Sequence, residues 1–167
     1  MQIHAVLFVL LAVFAGTPGT SELSKSEVHC VAFVVDQAAD GELLLSEPNC
    51  FDSLSEAGTW AAVGPPDPLA SAFSMAGYTF TLGRHFDGFN GTGSSISIVG
   101  SSCTGGYWNT TSSWDNRISS SYNGCARLTH WDEPAKSGSF QHTYGAGTTD
   151  NLSYMNNKAE SVSYHSG

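Results

Sequence analysis

Positive charge is what this chain has least of. Its 167 residues hold six Lys and Arg against fifteen Asp and Glu, for a formal net charge of −9 and a pI near 4.8. Nucleic-acid backbones are bound by clustered cations that neutralise phosphates, so composition argues against a nucleic-acid partner. Charged residues of both signs make up only 13%. Scarce Lys, 18 Gly and abundant Ser, Thr and Asn suit short strands joined by turns rather than helical bundles. Long apolar runs are also missing. The longest, Ala5–Phe14, falls well short of the roughly 20 residues that cross a bilayer, so no membrane span is expected. Catalytic signatures are absent too: there is no G-x-S-x-G elbow, no HExxH and no P-loop, and the chain reads as non-enzymatic. Apolar material is sufficient, at 41% hydrophobic and 11% aromatic, for a packed core rather than a disordered acidic chain.

The Ala5–Phe14 run reads as the apolar part of a secretory leader, with cleavage expected after Ala15 or near Thr20. Residues 1–20 are therefore taken as a signal peptide and the protein as secreted. Export places the four cysteines, Cys30, Cys50, Cys103 and Cys125, in an oxidising compartment, where an even count favours two disulfides. Three pairings are possible. Cys30–Cys50 and Cys103–Cys125 are favoured because each joins residues of one region, and each would contribute about 3 kcal/mol by loop closure. A cysteine metal site is disfavoured, because no CxxC occurs.

The remainder divides into two textures. Residues 21–62 carry most of the acidity. Val28–Asp36 reads as a strand and Glu42–Ser46 as a second, joined through a turn at Asp40-Gly41; Asp52 or Ser53 caps a helix to about Ala62. Gly64 to Pro68, GPPDP, stops regular structure, so a linker is expected over 63–76. From residue 77 to 167 the segments are short, alternate polar with apolar residues, and are separated by Gly, Asn and Ser, as in an all-β sandwich or barrel.

Within 77–167 there is a repeat. Phe86-Asp87 is followed seven residues after the aromatic by Gly93 and then Ser94; Trp131-Asp132 is followed likewise by Gly138 and Ser139. Downstream of the first lies DNRISS, Asp115–Ser120, and of the second NNKAES, Asn156–Ser161. An aromatic with a Gly seven residues on suits a folded hairpin whose Gly takes φ > 0. Paired Asx residues suit a tight loop, and such loops present the oxygen ligands that Ca2+ takes.

These residues resemble the βγ-crystallin family, whose calcium signature is Asn/Asp-Asn/Asp-x-x-Ser/Thr-Ser. DNRISS fits at every fixed position; NNKAES departs only at Glu160. The tract WDNRISSSYNGCARLTHW with Cys103 is similar to secreted microbial members. The resemblance implies a mainly all-β fold, a two-Greek-key sandwich over 77–167 preceded by a small mixed α/β segment. It also implies a structural Ca2+ held by the Arg117 and Lys158 carbonyls, by Ser119 and Glu160 side chains, and by Asp87 and Asp132 from the opposite repeat.

Other features carry alternatives. Asn90, Asn109 and Asn151 begin N-x-Ser/Thr sequons for glycosylation. Tyr107, Trp108, Trp114, Trp131 and Tyr144 read mainly as core, with a sugar-stacking surface as the alternative. His85, His130, His142 and His165 fall in strand or hairpin segments and read as packing residues. A proteinase inhibitor and a carbohydrate- or cell-wall-binding or toxin-like module are the rival functions, with a proteinase or surface glycan as partner.

Overall fold

The computed structural model describes residues 26–64 and 80–167. The leader and all of the linker beyond Gly64 lie outside them. The described residues form eleven strands and one α-helix: β1 His29–Gln37, β2 Leu43–Leu45, β3 Asn49–Phe51, α1 Leu54–Val63, β4 Phe80–Phe86, β5 Ser95–Gly100, β6 Thr104–Asn109, β7 Ser120–Asn123, β8 Arg127–Glu133, β9 Ser137–Tyr144, β10 Thr148–Asn151 and β11 Ser161–His165. The strands form two sheets. One runs β10-β7-β4-β5-β1-β2, with β3 also on β1; the other runs β6-β11-β8-β9.

The repeat organises both sheets. Strands β4 to β7 form a first quartet and β8 to β11 a second. In each, the third strand lies in the other quartet's sheet: β10 pairs with β7, and β6 pairs with β11. The two units therefore exchange an edge strand, and neither sheet is complete without both.

Residues 29–51, within the acidic segment 21–62, contribute three strands to the first sheet. β1 lies parallel to β5 from His29↔Ser95 to Phe33↔Val99, and β3 pairs with β1 opposite Cys30. The turn after β1 docks on β6, where Tyr107 Oη donates to Asp40 Oδ2 at 3.0 Å and Tyr107 N–H donates to the Gly41 carbonyl at 3.0 Å. The Glu42 N–H and then the Tyr107 hydroxyl hold the Asp40 carboxyl below its ordinary pKa. Ser53 caps α1 by accepting from Glu56 N–H at 3.2 Å, and Glu56 returns the contact through its carboxylate. Both disulfides form as favoured, Cys30–Cys50 across β1 and β3 and Cys103–Cys125 joining the approach to β6 to that of β8.

Alternation along β1 serves two cores. Ala32, with Leu82, Ile96, Ile98, Trp108, Leu128, Val162 and Tyr164, fills the space between the sheets. Val31 and Phe33 point the other way and pack with Val99 under Ala57 of α1.

The inner core also contains polar groups. His85 Nδ1 and His130 Nε2 each lie 2.8 Å from Ser121 Oγ, and His85 Nε2 lies 3.0 Å from Tyr164 Oη. Both histidines and the tyrosine are fully buried. The two imidazoles are counterparts in the repeat, each one residue before its hairpin aromatic. Burial pushes His130 down to about 3 and His85 well below its ordinary value, so both are neutral in the fold. Unfolded histidines take up protons near pH 6.5, so below that the unfolded chain binds more protons than the native one. Stability then falls by up to about 1.4 kcal/mol per histidine per pH unit, until the folded pKa values are reached. The melting temperature should fall steadily from pH 7 to pH 4.5, with a shallower slope in His130→Gln. Calorimetry across that range checks this, and a flat profile would contradict it.

Candidate functional site

Each repeat opens with a hairpin bent back on itself. Asn90, Gly91 and Gly93 have φ of 56°, 71° and 79°; Ala135, Lys136 and Gly138 have 56°, 60° and 75°. A β-carbon on Gly93 would stand 2.1 Å from Asp87 Oδ1, and one on Gly138 would stand 2.1 Å from Asp132 Oδ1. Only glycine leaves room there for the carboxylate that follows the aromatic. Asp132 uses that room to accept Ser139 N–H at 2.6 Å.

The two Asx loops then close against these hairpins with matched bonds. Ser119 N–H donates to the Phe86 carbonyl and Glu160 N–H to the Trp131 carbonyl, each at 2.8 Å. Ser120 Oγ donates to the Gly88 carbonyl at 2.6 Å and Ser161 Oγ to that of Glu133 at 2.8 Å. The same hydroxyls accept the left-handed Gly91 and Lys136 N–H groups. The final Ser of each signature is thus a clasp on its own hairpin.

The loops also bond to each other. Asn116 N–H donates to the Ala159 carbonyl at 3.2 Å, and Asn157 N–H to the Ile118 carbonyl at 2.9 Å. Both asparagines are left-handed, at φ 53° and 54°, a conformation Asn tolerates better than most residues. Their side chains cross to the opposite fifth position: Asn116 Nδ2 donates to Glu160 Oε1, and Asn157 Oδ1 accepts from Ser119 Oγ, both at 3.1 Å. Ile118 and Ala159, the fourth positions, are fully buried plugs.

Two oxygen clusters result, Ser119 with Asn157 and Glu160 with Asn116, each joined by the bonds above. Asp87 lies with the first loop through Arg117 of its own repeat, not with the opposite repeat as the resemblance implies, and the Asp132 carboxylate bonds to Ser139 N–H of its own hairpin. Among the described residues, no donor is bonded to the Arg117 or Lys158 carbonyl. No three His, Cys, Asp or Glu side chains there could share an ion, so carbonyls and hydroxyls would have to contribute. The clusters differ in charge. Arg117 Nη2 and Nε lie 2.6 and 3.2 Å from Asp87 Oδ2. Lys158, in the matching position, instead sets its ammonium 5.0 Å over the Tyr154 ring. Asp132 and Glu160 have no Lys or Arg partner among the described residues.

The sequon asparagines are used internally. Asn151 Oδ1 accepts Asn90 N–H and Asn109 Oδ1 accepts Ala135 N–H, at 2.6 and 2.8 Å. Each thereby secures the left-handed turn of the repeat to which its own strand has crossed. Sequence reasoning missed this role, although Asn109 and Asn151 end the exchanged strands at matching places. Of the aromatics, Tyr107, Trp108 and Trp114 are buried. Trp131 and Tyr144 instead join Phe140 and His142 in a row on the outer face of β8 and β9, with centroids 4.9, 4.8 and 5.6 Å apart. Phe140 and Tyr144 are 48% and 61% exposed.

No protein-family model matches this chain, and neither does any curated protein or solved structure.

Proposed function

We propose that this is a secreted, non-enzymatic protein with a two-Greek-key fold of the βγ-crystallin type, and that it binds Ca2+ as a stabilising ion. The exchange of β6 and β10 between the quartets supports the fold reading. The observation that carries the calcium reading is the second cluster. There a left-handed Asx loop leaves the Lys158 carbonyl without a donor, two residues before Glu160, and the carboxylates of Glu160 and of Asp132 in the same repeat have no cationic partner among the described residues. Hard anionic and carbonyl oxygens are the donor set this ion takes. The residues that would hold it are Asp132, Glu160 and the carbonyl of Lys158, with Asn116 orienting Glu160. The first cluster does not fit in the same way, because a guanidinium already neutralises its carboxylate. Two disulfides, with no described helix long and apolar enough to cross a membrane, agree with an extracellular setting.

A ligand that binds only the native state stabilises it by mass action, by about 2.7 kcal/mol at a hundred times its Kd. Millimolar Ca2+ should raise the melting temperature over a chelated sample. Glu160→Ala should remove that rise, while Ser119→Ala should leave most of it. Identical melting curves in calcium and in chelator would refute the reading.

The outer aromatic row favours a second reading, a glycan-binding surface. Exposed rings stack on sugar faces, and Trp131 Nε1, which donates to Ser163 Oγ, anchors one end. On this reading Phe140→Ala with Tyr144→Ala abolishes binding to a glycan array without lowering the melting temperature; no binding by the parent protein rules it out.

A further inference from the structure

We infer that Arg117 is a built-in cation that takes the place of a metal ion at the first Asx loop, leaving the protein with one calcium site where its two loops would otherwise provide two. This rests on the calcium reading above and concerns a different loop.

The two loops are alike in backbone. The same left-handed asparagine, the same buried fourth residue, the same clasp serine and the same crosswise bonds recur. They diverge at the third signature position. There Arg117 sends two nitrogens onto a single oxygen of Asp87, and its remaining nitrogen, Nη1, donates to the Ser113 carbonyl at 3.0 Å. The guanidinium carbon also stands 5.1 Å from the Trp114 ring centroid. All three guanidinium nitrogens are therefore bonded and the group is stacked on a ring. Arginine's planar fork suits such a multiply bonded place, and an ammonium on a flexible stem does not reproduce it. Lys158 at the matching position turns to Tyr154. Ser113 and Tyr154 each stand four residues before their basic residue, so the two side chains run back along equivalent paths.

The Arg117 and Asp87 side chains are only 35% and 18% exposed. A divalent cation arriving at Asp87 would meet a fixed positive charge at contact distance, and that repulsion opposes its binding. The same pair gives the first hairpin a cation in the absence of metal. Both loops are closed by the same backbone bonds, but only the first has its carboxylate already neutralised.

Isothermal titration with CaCl2 on the full mature chain tests this. The parent protein should take up one ion and Arg117→Gln two, a doubling of stoichiometry. Arg117→Gln should melt lower than the parent in chelator and recover that deficit in calcium. Asp87→Asn should show the same deficit without recovery and stay at one ion. Arg117→Lys, which copies the second repeat, is the second variant should Arg117→Gln fail to fold, and it too should gain an ion. Two ions in the parent, or one ion in both Arg117 variants, overturns the inference while leaving the calcium reading intact. No uptake by any of the proteins overturns both.

Discussion

The structure depends on the crosswise closure of two left-handed Asx loops. Asn116 and Asn157 each donate a backbone N–H to the opposite loop and touch its fifth residue with their side chains. The plugs Ile118 and Ala159 stand between these contacts in the shared core. Because β6 and β10 have changed sheets, each hairpin is finished by an asparagine of the other repeat, Asn151 or Asn109. Neither repeat can bury its hairpin, satisfy its turn or cover its plug alone. Folding of the two is thus coupled through local backbone geometry, and not only through the area they bury.

That geometry also explains why oxygen atoms collect where they do. A left-handed residue two before a buried plug leaves the intervening carbonyl without a donor, and the hydroxyl or carboxylate after the plug bonds to the asparagine of the opposite loop. The polarity of the two clusters is a by-product of closing the fold. Two positions distinguish them: the fifth is a hydroxyl in Ser119 and a carboxylate in Glu160, and at the third Arg117 neutralises its cluster from within while Lys158 does not.

Much of this was legible in the sequence, and for local reasons. The spacing of aromatic and Gly reads as a folded hairpin because Gly readily takes φ > 0; that it also leaves room for the Asp carboxylate is visible only in the structure. Asp52 or Ser53 reads as a helix start because a cap acts within one turn, and Ser53 is the one that caps α1. The disulfide pairs were readable because each closes a short stretch. The non-local features were hidden. The parallel pairing of β1 with β5 joins residues more than sixty positions apart and leaves no mark in either segment. Ile118 and Ala159 stand at positions the signature treats as variable, though both are buried. Asn109 and Asn151 read as sequons, but their side-chain oxygens serve backbone groups in the other repeat. The acidity of residues 21–62 marks a distinct segment, readable as a propeptide or as a cap on the domain, but does not show where it docks: Asp40 and Glu42 lie at its seam with β6, where Tyr107 Oη and Asn109 Nδ2 donate to them.

The molecule sets an asymmetry of charge within a symmetric frame. The most direct test of that asymmetry is a residue-resolved calcium titration of the mature protein, followed by amide proton–nitrogen NMR. The amides of Asp132 and of Asn156–Ser161 should shift together and saturate at one ion per chain, while those of Asp87 and Arg117 barely move. Equal shifts at both loops, or none at either, would contradict it.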